Sequence, residues 1–211
     1  VTGDTKVVEK GHGDGLFIST SGLGEKIPGT CVSGKSAKPG DIVLVTGTMG
    51  DHGITILSQR EGLGFEAQVQ SDTAPLNHIT EALLTALGDQ VHVLRDPTRG
   101  GLATTLNEIA AQSKVSIEID EQAVPIHPAV ASACEFLGLD PLYIANEGKL
   151  IVIVEEDVAQ EALSIIHSCK YGENAAVIGR VSSEQSGFVS MKTAIGGKRL
   201  VDWLNSDPLP R

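Results

Sequence analysis

Residues 150–154 read LIVIV, and no other stretch of the chain restricts its fold so sharply. In a strand, successive side chains point to opposite faces, so five consecutive aliphatic residues leave neither face fit for water. Such a strand belongs inside a sheet covered on both sides, and helices are the usual cover. The rest of the chain supplies them. Strand-like runs at IVLVT (42–46), VHVL (91–94), VSIEI (115–119), VIGRV (177–181) and GFVSM (187–191) alternate with helical stretches after GDHG, from Pro75 to Leu87, after DPTRGG, near 127–137 and from Asp157 to Ser168. Leu76, Ile79, Leu83 and Leu84 form one apolar stripe at helical spacing, closed by Gly88 as a C-cap, and Leu102, Leu106, Ile109 and Ala110 form another. LIVIV predicts a central strand, whereas the alternation in VSIEI predicts an edge or half-exposed one. The class is α/β or α+β, with a covered sheet.

A dense loop, GTCVSGKSAKPGD (29–41), precedes IVLVT and predicts a domain boundary near residue 35. Upstream, KVVEK and GLFISTSG have strand composition but bury too little by themselves, so 1–35 reads as a remnant of a neighbouring domain and 36–211 as the main one. The 211 residues, 41% of them hydrophobic, suffice for one or two cores. A formal charge of −11, with no basic run, argues against nucleic acid and anionic membrane as partners. No run approaches the ~20 apolar residues of a membrane span, and the start has no signal-peptide pattern, which predicts a cytoplasmic protein. Cys31, Cys134 and Cys169 lie far apart and are expected to be buried thiols. His12, His52 and His127 lack ligand spacing, so they read as structural or hydrogen-bonding and no metal ligand is nominated.

Four polar motifs carry the chemistry. In RDPTRGGLATTLNE (95–108) a helix opens on an arginine and two glycines, although a glycine in a helix costs roughly 1 kcal/mol relative to alanine. Asp96 or Thr98 can cap this helix, and Gly100 and Gly101 put no side chain in the way of an anion or of a second backbone, with Arg99 as the nearby cation. TGTMGDHG (46–53) is a strand, a glycine-rich turn and a helix start, open to a phosphate reading or to a plain turn. In GDTKVVEKG (3–11), Asp4 and Lys6 sit two apart and share a strand face, as a site or as a surface pair. Asn146 and Glu147 precede the most apolar strand, either as a site on a polar loop held rigidly at a sheet edge or as an ordinary solvated turn.

Taken in order, GDTKVVEKG, TGTMGDHG, RDPTRGGLATTLNE, NEGKL and the closing GGKRLVDWLNSDPLPR (196–211) resemble the HypE family of hydrogenase maturation proteins. That family lies in the PurM-like superfamily, beside aminoimidazole ribonucleotide synthetase and selenophosphate synthetase. The resemblance implies a PurM C-terminal-domain fold and an ATP- and Mg2+-dependent carbamoyl dehydratase that makes the cyanide ligand of NiFe-hydrogenase. It also implies a homodimer, HypF as carbamoyl donor and the HypC–HypD pair as cyanide acceptor. Lys6 and Glu147 match the family's positions beside the reacting group, as electrostatic stabiliser and base. Cofactor contacts fall to Asp4, Asp51, His52, Asp96, Arg99, Gly100, Gly101 and Asn146. The family chain ends in PRIC, this one at Arg211 after PLPR, and most of the family's N-terminal domain has no counterpart here. The resemblance therefore implies a fragment, inactive by itself. Another PurM-like synthetase, or a non-catalytic docking module for the maturation partners, is the alternative.

Overall fold

The computed structural model describes residues 23–61, 69–184 and 187–204, so KVVEK and GLFISTSG lie outside the described residues. In chain order the elements are β1 (Ile42–Val45), α1 (Asp51–Glu61), α2 (Asn77–Leu87), β2 (Val91–Arg95), α3 (Gly101–Ser113), β3 (Ser116–Asp120), α4 (Pro128–Leu137), β4 (Ile151–Val154), α5 (Ala159–Ser168), β5 (Ala176–Ser182), β6 (Val189–Lys192) and β7 (Lys198–Leu200). The strands form one sheet in the order β2-β4-β1-β5-β3-β6-β7. Neighbours are antiparallel except for the parallel pair β3 and β6.

The alternation of side chains fixes what covers each face. Val43, Val45, Ile151 and Ile153 point to one side and pack with Leu102, Leu106 and Ile109 of α3. Ile42, Leu44, Val152 and Val154 point to the other, against Ile79, Leu83 and Leu87 of α2 and Ala162 and Ile166 of α5. β4 is buried at all four positions between β2 and β1, as the doubly apolar run requires. β3 shows the alternation of VSIEI but is no edge: it lies between β5 and β6, and its outward Glu118 is paired with Lys198 of β7. The strand after GFVSM, β7, has no apolar pattern of its own and is held by pairing with β6.

In β2, Val91 packs with the second face and Val93 with the first although they are two apart. A register shift between them restores the order and turns His92 inward, where its Nδ1 lies 2.7 Å from Asp41 Oδ2. α1 and α4 form a smaller cluster around Ile54, Val130, Ala133, Cys134 and Ile144. Cys134 is buried there, and burial, with help from the Asp140 charge, pushes its thiol up to about 11. Cys31 is exposed and Cys169 half-buried, so burial holds for one cysteine of the three; the loop that carries Cys31 runs over the surface. His127 caps α4, its Nδ1 accepting from Ala129 N at 3.2 Å. Among the described residues no helix is long and apolar enough to cross a membrane.

Candidate functional site

Register brings three of the four polar motifs together. Val45, the last residue of β1, faces Ile151, the first of β4, and Ile151 also faces Arg95, the last of β2. The loops 46–50, 145–149 and 96–100 therefore leave the sheet side by side at one end. Thr46 extends the match by one residue: its N–H donates to Leu150 O at 3.0 Å and its Oγ1 accepts from Leu150 N at 2.9 Å.

Asn146 ties the three loops. Its side chain is 1% exposed; Oδ1 accepts from Gly50 N at 2.8 Å, and Nδ2 donates to Pro97 O and to Ile144 O, each at 3.0 Å. Its own N–H donates to Pro97 O at 3.2 Å. A carboxamide is the side chain that can accept from an amide and donate to two carbonyls at once.

The double glycine serves a close approach. Gly100 is the N-cap of α3, in the left-handed region, and no side chain caps the helix. The expected caps are used elsewhere: Thr98 contributes its carbonyl, which accepts from Gly101 N at 3.2 Å, and Asp96 pairs with Arg95 at 2.9 Å. Gly101 has φ +62°, and a Cβ there would stand 2.5 Å from Leu142 O and 2.6 Å from Ile144 O. Of the two neighbours the sequence left open, a second backbone is the one found at Gly101. Arg99 is exposed at the head of the helix.

A fourth loop, 70–74, joins the group without having been singled out from the sequence. Asp72 Oδ1 accepts from Glu147 N at 3.0 Å and from Gly148 N at 3.3 Å. Ser71 Oγ lies 2.9 Å from His52 Nδ1, which gives His52 a hydrogen-bonding role. Gly148 is pressed on the backbone of this loop, with the Asp72 carbonyl oxygen where a Cβ would go. Glu147 itself is exposed, its carboxylate turned outward from a loop held on both sides.

Asp51 opens α1 and is 9% exposed. Burial raises its pKa above the usual 3.8, with the Asp72 charge adding to the rise, while the Thr48 hydroxyl that donates to Oδ2 and the Lys149 ammonium oppose it. Two buried carboxylate oxygens, Asp51 Oδ1 and Asp72 Oδ2, have no hydrogen-bond partner among the described residues. Lys149 lays its stem on Gly47, its Nζ 3.3 Å from where a Cβ would be. Sequence reasoning quoted NEGKL yet passed over Lys149; a charged residue at the head of a wholly apolar strand was the available signal. Asp72 carried a weaker one, as an Asp in a turn before a helix. Asp4 and Lys6 lie outside the described residues.

Comparisons with known proteins show what the chain as a whole is similar to. A family model described as AIR synthase related protein, C-terminal domain, matches residues 38–192. A protein of Azotobacter vinelandii called carbamoyl dehydratase HypE is 53% identical over 211 residues, which is all of this chain and 62% of that protein's length. Among solved structures, hydrogenase maturation protein HypE in complex with ATP is similar with a TM-score of 0.80 and 53% identity, covering 84% of this chain and 54% of that one. A HypE–HypF complex matches with a TM-score of 0.80 at 50% identity, over 83% of this chain and 57% of that chain. The chain thus spans about three fifths of the length of the curated relatives it matches.

Proposed function

The chain belongs to the family of AIR synthase related proteins, C-terminal domain, and we propose that it is the greater part of an ATP-dependent carbamoyl dehydratase. Residues 36–211 form the C-terminal domain in this reading, and residues 1–35 the end of a preceding domain that binds nucleotide and dimerises. The supporting observation is the Asn146 network, which assembles the loops 46–50, 96–100 and 145–149 at one end of the sheet with the Glu147 carboxylate exposed among them.

The substrate is a carbamoyl group carried as a thiocarbamate on a C-terminal cysteine, S–C(=O)–NH2, supplied by HypF. The oxygen leaves as phosphate, one N–H proton passes to Glu147 and the other to solvent, and the product is the thiocyanate S–C≡N. Its cyano group passes to a HypC–HypD complex in the cytoplasm, a transfer that returns the thiolate only with two electrons from the acceptor. ATP, when bound, supplies the phosphoryl group that turns the amide oxygen into a leaving group. Glu147 accepts an amide proton, a role supported by its exposure on a loop fixed by backbone bonds. Lys6 stabilises charge on the oxygen. Arg99 and Lys149 suit phosphate oxygens, with Gly100 and Asp96 beside Arg99. Asp51 does not suit them: its open oxygen, Oδ1, is a buried acceptor. Mg2+ belongs with the preceding domain in this reading, as the family resemblance implies.

The test uses the full-length enzyme, carbamoylated by HypF and given Mg-ATP, with the tail followed by mass spectrometry. The parent loses one water, whereas Glu147→Gln carbamoylates normally and dehydrates more slowly by about 10² to 10⁴. Dehydration of the Gln variant at the parent rate removes Glu147 as the base.

A further inference from the structure

We infer that Asp72 is a positioning residue for dehydration, setting the direction of Glu147 through the peptide N–H groups of Glu147 and Gly148. The inference rests on the reading of Glu147 as the base. Asp72 Oδ1 accepts from both amides, at 3.0 and 3.3 Å, across a sequence separation of 75 and 76 residues. A single oxygen shared by two consecutive N–H groups fixes the orientation of the peptide plane between them, and the Glu147 side chain leaves the backbone at that point.

The supporting contacts are made by backbone. Gly148 packs against the Asp72 carbonyl oxygen and, at the Cβ position, 2.7 Å from Ala74 N, so the two loops touch without an intervening side chain. On the far side, Asn146 is locked to Pro97 and Gly50. Glu147 is therefore the exposed member of a segment held at the residues before and after it. The 70–74 loop is in turn tied to α1, through the 2.9 Å contact of Ser71 Oγ with His52 Nδ1. Displacement of a catalytic group by about 1 Å can cost on the order of 10² in rate, which is the scale on which such a clamp matters.

Two variants separate the acceptor from the charge. Asp72→Asn removes the charge but keeps an oxygen at the Oδ1 position, and its amide nitrogen replaces an oxygen that bonds nothing among the described residues. Asp72→Glu keeps the charge and moves the oxygen by a methylene. In the full-length enzyme, Asp72→Asn retains kcat within a few-fold, while Asp72→Glu lowers kcat by about 10- to 100-fold at unchanged KM for ATP. Hydrogen exchange at the Glu147 and Gly148 amides speeds up in Asp72→Glu and stays slow in Asp72→Asn. The reverse pattern, with Glu active and Asn impaired, makes Asp72 an electrostatic residue and overturns the inference, as does parent-like kcat in both variants. If Glu147→Gln itself dehydrates at the parent rate, the reading of Glu147 fails. A slow Glu147→Gln beside a parent-like Asp72→Glu fails the positioning role alone.

Discussion

Asn146 Oδ1 accepts a hydrogen bond from Gly50 N at 2.8 Å across 96 residues of sequence, and this bond joins the glycine-rich turn after β1 to the loop before β4. The two segments begin one residue beyond a matched strand pair, Val45 with Ile151, so the sheet sets their distance and Asn146 their orientation.

Asn146→Ala leaves the Gly50 amide and the Ile144 carbonyl without the side-chain partner in a buried place, while Pro97 O keeps the backbone N–H of residue 146, and is expected to destabilise the chain by about 2–4 kcal/mol. Asn146→Asp is more telling. Its second oxygen faces two carbonyl oxygens, so the variant is weakest at neutral pH and regains part of its stability in acid, when the carboxyl becomes a donor. Urea midpoints at pH 7 and pH 4 measure the difference. An Asp variant that weakens in parallel with the parent on acidification would remove the donor role assigned to Nδ2.

Asp51 gives a pH dependence of the opposite origin. Its folded-state pKa lies above the unfolded value near 3.8 because burial disfavours the carboxylate. The folded chain thus holds this proton more tightly than the unfolded chain. The contribution to stability is fully present below the unfolded value and is lost as pH rises through the folded one. Asp51→Asn keeps an acceptor for Thr48 and carries no charge. It should match the parent in acid and be the more stable protein at pH 7, as read from denaturant midpoints across the range. A parent-to-variant difference that does not change with pH means that Asp51 ionises as freely in the folded chain as in the unfolded one.

What the sequence made legible follows from which interactions are local. The doubly apolar LIVIV placed β4 inside the sheet, between β2 and β1, and the stripe of Leu102, Leu106, Ile109 and Ala110 identified the buried face of α3, because burial writes its period into neighbouring residues. β3 is half-exposed, the second of the two readings its alternation allowed, and is not an edge. Its alternation records one solvent-facing side, which an interior strand also has when, as here, Glu118 lies on an uncovered part of the sheet paired with Lys198. The site was half legible: three motifs stood out by composition, but Asp72 acts on Glu147 from 75 residues away through an oxygen and two amides, and no period or spacing encodes such a contact. The roles proposed for Lys6 and Glu147 rest on family resemblance. Cys31 defied the rule that thiols are buried because its loop packs by backbone bonds, such as Ser33 N to His92 O at 3.0 Å.

The motif RDPTRGG is expected to divide into a packing part and an anion part. At Gly101 an alanine meets three backbone atoms, Leu142 O, Ile144 O and Tyr143 C, at 2.5 to 2.8 Å, and none of them can rotate away. The residue also holds φ +62°, which costs an L-residue roughly 1–2 kcal/mol before any contact is counted. Gly101→Ala should therefore destabilise the chain by on the order of 3 kcal/mol, in thermal or urea unfolding, with nothing else bound. Arg99 behaves differently. It is exposed, and Arg99→Lys keeps the charge while removing the planar fork, so its stability should stay within about 1 kcal/mol of the parent. In the full-length enzyme the same change should raise KM for ATP, since a bidentate phosphate contact does not survive replacement by an ammonium. Equal stability losses in the two variants, with KM unmoved, would make the whole motif structural. A Gly101→Ala chain as stable as the parent would mean that the loop at 142–144 yields, and that the glycine is kept open for something other than this backbone.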